Sequence, residues 1–209
     1  MARFPGKYAN VKLSGVGVAS AGEATTDVGG LHTTYQVSAA AHQVLDPTAA
    51  ITVYKNGVAE PAANYTLDRL FGRVTFKAAL LGTDVVTMDV KYLPMTSVAE
   101  AHGASLSHSK QTLDATTFAS NGWTERESGL QDASGSIDRF YQADDLFFDA
   151  LTAGSVLVVE FWRDQVNVSW RAWALMDKVD TKAGVADLIG QSIGWAGTTD
   201  ADGRSVSYA

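Results

Sequence analysis

Residues 51–57 read Ile51-Thr52-Val53-Tyr54-Lys55-Asn56-Gly57. An alternating β-branched and aromatic run ends on the dipeptide best suited to a type I′ turn, because Asn and Gly both tolerate positive φ. The pattern predicts a β-hairpin. On its C-terminal side, Tyr65-Thr66-Leu67 leads through Asp68 and the Phe71-Gly72 turn into Val74-Thr75-Phe76. Asp84 to Tyr92 then alternates through Val85, Thr87, Asp89 and Lys91. Residues 35–95 are therefore expected to form a small β module closed by Pro94. On its N-terminal side, Val11, Leu13 and Gly15 alternate with Lys12, Ser14 and Val16, which predicts one strand of about ten residues ending near Ala21-Gly22.

Beyond the module one segment has helical spacing. Ala143, Leu146, Phe147, Ala150 and Leu151 recur at three and four, with Asp144 and Asp145 in the first turn and Gly154 just past the end. These signals place a helix near 142–153. Strand candidates follow at Ser155 to Arg163, Asn167 to Met176 and Ile189 to Trp195. In Trp170-Arg171-Ala172-Trp173, alternation puts Trp170 on one face and Trp173 on the other. A strand apolar on both faces is central in a layered fold or buried against a neighbouring subunit, so Trp162, Trp170 and Trp173 are candidate core and interface aromatics rather than a stacking platform for bases or sugars. The fold class is mainly β: two packed antiparallel sheets, a sandwich or barrel, with one flanking helix.

Composition narrows the function. The chain has 209 residues, a net charge of −7 and no cysteine. An acidic chain repels a polyanion on average, which disfavours nucleic-acid binding by charge. Without cysteine there is no disulfide framework, thiolate zinc site or thiol nucleophile. The histidines, His32, His42, His102 and His108, are scattered without metal-ligand spacing. Asp200-Ala201-Asp202-Gly203 resembles the start of a calcium loop, but Ala209 stands where that loop needs a carboxylate. Gly15-Val16-Gly17 lacks the third glycine of a dinucleotide fingerprint, since Ser20 occupies that position. No nucleophile elbow or phosphate-cradling string occurs, so no enzyme, cofactor or metal is expected. The start, Met1-Ala2-Arg3-Phe4-Pro5-Gly6-Lys7-Tyr8, has no apolar core of an export signal, and the run Val156 to Val159 is too short to span a bilayer; a cytoplasmic site of assembly and no membrane partner are expected.

The charge is unevenly placed. Residues 1–95 hold 8 basic and 7 acidic side chains, the remainder 8 and 16. Between positions 114 and 149, Asp114, Glu125, Glu127, Asp132, Asp138, Asp144, Asp145 and Asp149 face only Arg126 and Arg139.

The order of the pieces resembles a known family. Ser105, Leu113-Asp114-Ala115-Thr116-Thr117, Gly129-Leu130, Ser134-Gly135-Ser136-Ile137, a helix ending Ala150-Leu151-Thr152-Ala153-Gly154, then Trp173-Ala174-Leu175-Met176, Val185-Ala186-Asp187 and Asp202-Gly203 are similar to the major tail (tail tube) proteins of long-tailed, non-contractile bacteriophages. The resemblance covers roughly 1–30 and 96–209, with 35–95 resembling the extra β-hairpins that some of these proteins insert. It implies a structural virion protein, assembled in the host cytoplasm, whose homohexameric rings stack into the tail tube. Neighbouring subunits would join their sheets around a channel through which DNA passes during ejection without specific binding. Tape measure, tail terminator and distal tail proteins would be its partners. A negatively lined channel gives the acidic stretch a purpose, with Glu125, Glu127 and Asp138 as candidate lumen-lining acids, and Phe118 to Asp132 as a flexible contact with the next ring. From composition and periodicity alone, a β-sandwich binding module or a capsid decoration protein fits nearly as well and stays as the alternative.

Overall fold

The computed structural model describes residues 10–98, 100–117, 123–141, 146–162, 168–184 and 188–208. Its strands are β1 (Asn10–Ser14), β2 (Val18–Asp27), β3 (Thr34–Val37), β4 (Thr52–Lys55), β5 (Val58–Ala59), β6 (Tyr65–Asp68), β7 (Arg73–Phe76), β8 (Val86–Tyr92), β9 (Met95–Ser97), β10 (Ala101–Asp114) and β11 (Arg126–Phe140). Helix α1 (Leu146–Ala153) precedes β12 (Val156–Trp162), β13 (Val168–Lys182), β14 (Gly190–Gly197) and β15 (Val206–Tyr208). They make two antiparallel sheets. The 8-stranded sheet runs β10-β11-β14-β13-β12-β1-β9, with β15 beside β13, and the 7-stranded sheet runs β5-β4-β8-β2-β3-β7-β6. The mainly β class, with two antiparallel sheets and one helix, is as the sequence predicts.

Local chemistry explains the landmarks. Asn56 and Gly57 take φ of 52° and 78° and turn β4 into β5, the mirror-image turn that matches strand twist. Gly154, at φ 60°, ends α1. Its N–H donates to the Leu151 carbonyl at 3.3 Å and the Ser155 N–H to the Ala150 carbonyl at 3.1 Å, the paired closure that a left-handed residue after a helix permits. The expected helix start, 142–145, lies outside the described residues.

Three differences from the sequence reading have physical causes. The single strand expected from Val11 to Gly22 is two, β1 and β2, which belong to different sheets. The chain crosses between them at Gly15-Val16-Gly17, where a Cβ on Gly17 would push aside the flexible end of Lys91, 2.7 Å away, and lie 3.3 Å from the side chains of Asp46 and Leu93. The 7-stranded sheet consequently starts at Val18, earlier than the boundary of 35 drawn from pattern, because β2 pairs first with β8 and then with β3. Third, Arg126 to Asp132 is not a flexible loop but the first half of β11; residues 118–122 of that segment lie outside the described residues.

One of the sheets curls into a half-barrel. The two edge strands of the 8-stranded sheet, β9 and β10, are consecutive in the chain, separated only by residues 98–100. One face is packed by α1: Phe147 and Ala150 join Val11, Leu13, Ile137, Val159, Trp170, Met176, Ile193 and Trp195 in a single apolar cluster. The 7-stranded sheet closes around a separate core that includes Tyr35, Val53, Val74, Phe76 and Met88. A third cluster, Val44, Leu70, Phe71 and Leu93 against Val158 and Trp173, joins the two sheets.

Candidate functional site

The face of the 8-stranded sheet opposite α1 has two halves. Register fixes which residues share it. Lys12 pairs with Glu160 and Glu160 with Arg171, while Val158 pairs with Trp173. This half is roofed by the loop that joins β6 to β7. The side chains of Glu160 and Arg171 are 1% and 6% exposed. Arg171 Nε donates to Glu160 at 2.5 Å, its Nη1 to the Leu70 carbonyl at 2.7 Å, and its guanidinium lies 4.5 Å from the centre of the Phe71 ring. Trp162 Nε1 also donates to Glu160, and Lys12 Nζ is 3.7 Å away. Burial pushes the guanidinium of Arg171 down from its ordinary value and Glu160 opposes that shift. Two reciprocal ion pairs close the seam, Arg69 with Asp202 at 2.6 Å and Arg204 with Asp68 at 3.2 Å.

The other half carries small and acidic residues. Across β10, β11, β14 and β13 the register aligns Gly103 with Asp138, Ser192 and Asp180, then Ser105 with Ser136, Gly194 and Lys178. Ser192 Oγ donates to Asp138 at 2.6 Å, and the Ser105 and Ser136 hydroxyls are 2.9 Å apart. Nothing described packs over this half, and its side chains are half-buried or exposed. It is a surface of small polar and acidic side chains.

Beyond this half the sheet thins to two strands. β11 pairs with β14 only from Ser134 to Phe140, whereas its ladder with β10 continues to Arg126. From Ala133 to Arg126 the ribbon extends on the order of 25 Å, at about 3.4 Å per residue. A bulge interrupts it: Lys110 pairs with Gln131 and Thr112 with Ser128, so Gln111 faces both Gly129 and Leu130. One extra residue inverts the alternation. Glu127, at an odd position, thereby lies on the same face as Asp132 and Asp138 at even ones, and Glu125 follows Glu127 by the pleat. The outer side of β10 has no strand partner among the described residues, leaving a 14-residue edge.

Comparison with known proteins gives limited matches. No protein-family profile and no curated protein matches the chain. Among solved structures, the tail of an empty gene transfer agent particle, refined with helical and C6 symmetry, is 16% identical with a TM-score of 0.46, covering 56% of this chain and 87% of that one. The virion of a native gene transfer agent particle is also 16% identical, with a TM-score of 0.45, covering 55% of this chain and 88% of that one. Both neighbours come from one kind of particle.

The residues singled out from sequence fall into different settings. Glu125 and Glu127 are exposed on the ribbon, and Asp138 is half-buried at its root. Trp170 packs in the α1-side core, 6.2 Å from Trp195, and Trp173 lies in the joint between sheets, its Nε1 donating to Asp200 at 3.2 Å. Trp162 is half-buried under Lys12 Nζ, 4.1 Å from the ring centre. Two histidines have acidic partners: His32 Nδ1 is 2.9 Å from Asp27 and His42 Nδ1 is 2.6 Å from Glu23. The ribbon's long edge and the seam of ion pairs had no sequence signal, since their partners are far apart in the chain.

Proposed function

We propose that this chain is a structural subunit of a phage-like tail tube, forming homohexameric rings that stack around a channel for DNA. The observation that supports it most is the 14-residue unpaired edge of β10 beside an uncovered face of serines and acids. An exposed edge of that length pairs with another chain unless something covers it. Pairing of that edge with a different edge of the next copy is head-to-tail, repeats by rotation and gives a ring where the rotation closes; the six-fold order comes from the resemblance. The ring then joins the small polar faces into one inner wall, and the face that carries Glu125, Glu127 and Asp138 lines the channel.

Such a wall works by not holding its cargo. Carboxylates within a Debye length of about 8–10 Å of a phosphate repel it, and short hydroxyl side chains leave little to grip. Non-specific DNA binding is driven by basic residues; the aligned rows of this wall carry Lys178 alone, ion-paired to Asp180 at 2.6 Å. The role needs no catalysis. In the virion tail, a tape measure protein would occupy the channel before ejection, with terminator and distal tail proteins at the two ends.

Negative-stain microscopy of concentrated pure protein tests the assembly. Stacked rings of uniform diameter are expected. Uniform monomers that bind glycans would overturn the reading in favour of a binding module, and assembly only upon a capsid lattice would favour a decoration protein.

A further inference from the structure

We propose that the β10–β11 ribbon is a strap that zips onto β15 of its own chain, closing a cleft in the 8-stranded sheet. The two walls of the cleft are strand edges. β11 pairs with β14 from Ser134 to Phe140, and on that side residues 126–133 have no strand partner among the described residues. β13 pairs with β14 from Ala174 to Lys182 and with β15 from Trp170 to Ala172, while β12 takes its other side. β15 therefore continues the line of β14, and its outer edge is likewise without a strand partner among the described residues. Between the two edges lies a cleft of about 670 Å³, lined by Leu130, Gln131 and Ala133 on one wall and by Arg204, Ser205 and Val206 on the other.

The registers of the two walls already agree. Counting back along β11 from Ser134 opposite Ala196, and along β13 from Ala174 opposite Gly197, brings Gln131 level with Ala172 and its partner Val206. One step further, Leu130 is level with Arg171 and its partner Ser207. Closing thus needs a swing of the ribbon and no slide. It also joins like faces, since Val206 packs against the α1-side core that holds Ile137, and alternation from Ile137 through Ala133 puts Gln131 on that side. One contact spans the gap already, the Tyr208 hydroxyl lying 3.3 Å from His108 Nδ1. Asp132 on one wall and Arg204 on the other attract each other as the gap narrows. The backbone groups of both edges are served by water when the cleft is open and by each other when it is shut. A two-stranded ribbon is marginal alone; closed, it becomes the end of a continuous sheet.

The chain has no cysteine, so one introduced pair reports the closure in the full-length protein. With Gln131→Cys and Val206→Cys, mild oxidation is expected to consume both thiols within one chain, because paired strands bring Cα atoms into the roughly 4.4–6.8 Å that a disulfide spans. Lys110→Cys with Val206→Cys is the control. Lys110 pairs with Gln131 from the far side of β11, a further strand away, and should oxidise about tenfold more slowly or less. Hydrogen exchange then reads the ladder: amides of 129–131 and 206–208 should exchange about tenfold more slowly in the disulfide-locked chain than in the same chain reduced. Leu130→Cys with Ser207→Cys, the next pair in the same register, repeats the test on the opposite face should the first variant melt below wild type. Equal oxidation of test and control pairs, no disulfide within the chain from either register pair, or locked strands whose amides exchange as before would each overturn the proposal.

Discussion

The two halves of the sheet face opposite α1 belong to one continuous sheet and meet on β13, yet their side chains are opposite in kind. Where the 7-stranded sheet covers it, the face carries Trp173 and Val158 and a charge pair sealed from water, Glu160 with Arg171. Where no part of the described chain covers it, the face carries Ser105, Ser136, Asp138 and Ser192. The pleat alone does not choose these residues; the occupant above them does. Bulk and desolvated charge are used where a partner is always present, and small hydrated groups where the surface must face water.

Five variants test that contrast. Arg171→Met should have the largest effect, a loss of about 3–5 kcal/mol, because it leaves Glu160 buried without its main counter-charge; urea denaturation measures it, and a loss comparable to a surface mutation would break the comparison. Gly135→Ala, behind the open half, should cost about 2–3 kcal/mol, since a Cβ there would meet the Ser105 carbonyl and approach Trp195 Cζ2 to 2.5 Å. A thermal melt would reveal it, and a neutral result would mean the open half is not held from behind.

The third lies at the edge of the joint. Asp46 accepts from Thr48 N–H, Thr48 Oγ1 and Ala49 N–H, and its other oxygen is 2.9 Å from Lys91 Nζ. Burial pushes its carboxyl up, but Lys91 and these hydrogen bonds outweigh burial and hold it below the ordinary value. Its contribution is therefore complete above the ordinary carboxylate range, about 3.9, and is lost as pH falls through the depressed folded value. Asp46→Ala should cost about 1–2 kcal/mol at neutral pH, with the difference from wild type shrinking in titrated denaturation as pH drops below about 4. A pH-independent difference would contradict the ionic account.

The smallest effect belongs to the open half. Asp138→Asn with Ser136→Ala should change stability by no more than about 0.5 kcal/mol. Lysine at Glu125, Glu127 and Asp138 together should still permit tubes yet make them retain DNA in a filter assay and slow its ejection. DNA passage equal to wild type would remove these acids from the channel wall.

Much of the covered structure was legible in the sequence. The Asn56-Gly57 turn, the alternation in β8 and β13 and the glycine after α1 are local signals, and each buried face left its apolar period. The ribbon was not legible for the same physical reason. Ser107, Ser109, Thr112, Glu127 and Gln131 leave no apolar alternation because most of the ribbon's side chains are exposed, so its strand character was mistaken for loop at 126–132. The crossing at Gly15–Gly17 was missed because the alternation continues through it. Of the candidate site, the acids were nameable one by one, but their common face was not, since the bulge that aligns them depends on pairing.

That bulge makes the orientation of the ribbon's charge tolerant of chain length. Deleting Leu130 would preserve every carboxylate and remove the extra residue opposite Gln111. The ladder would run unbroken with Glu127 still opposite Leu113, so Glu127, and Glu125 with it, would keep the face they have. Two chains identical in every acid but differing by that one residue would present the same wall, because the bulge takes up the difference.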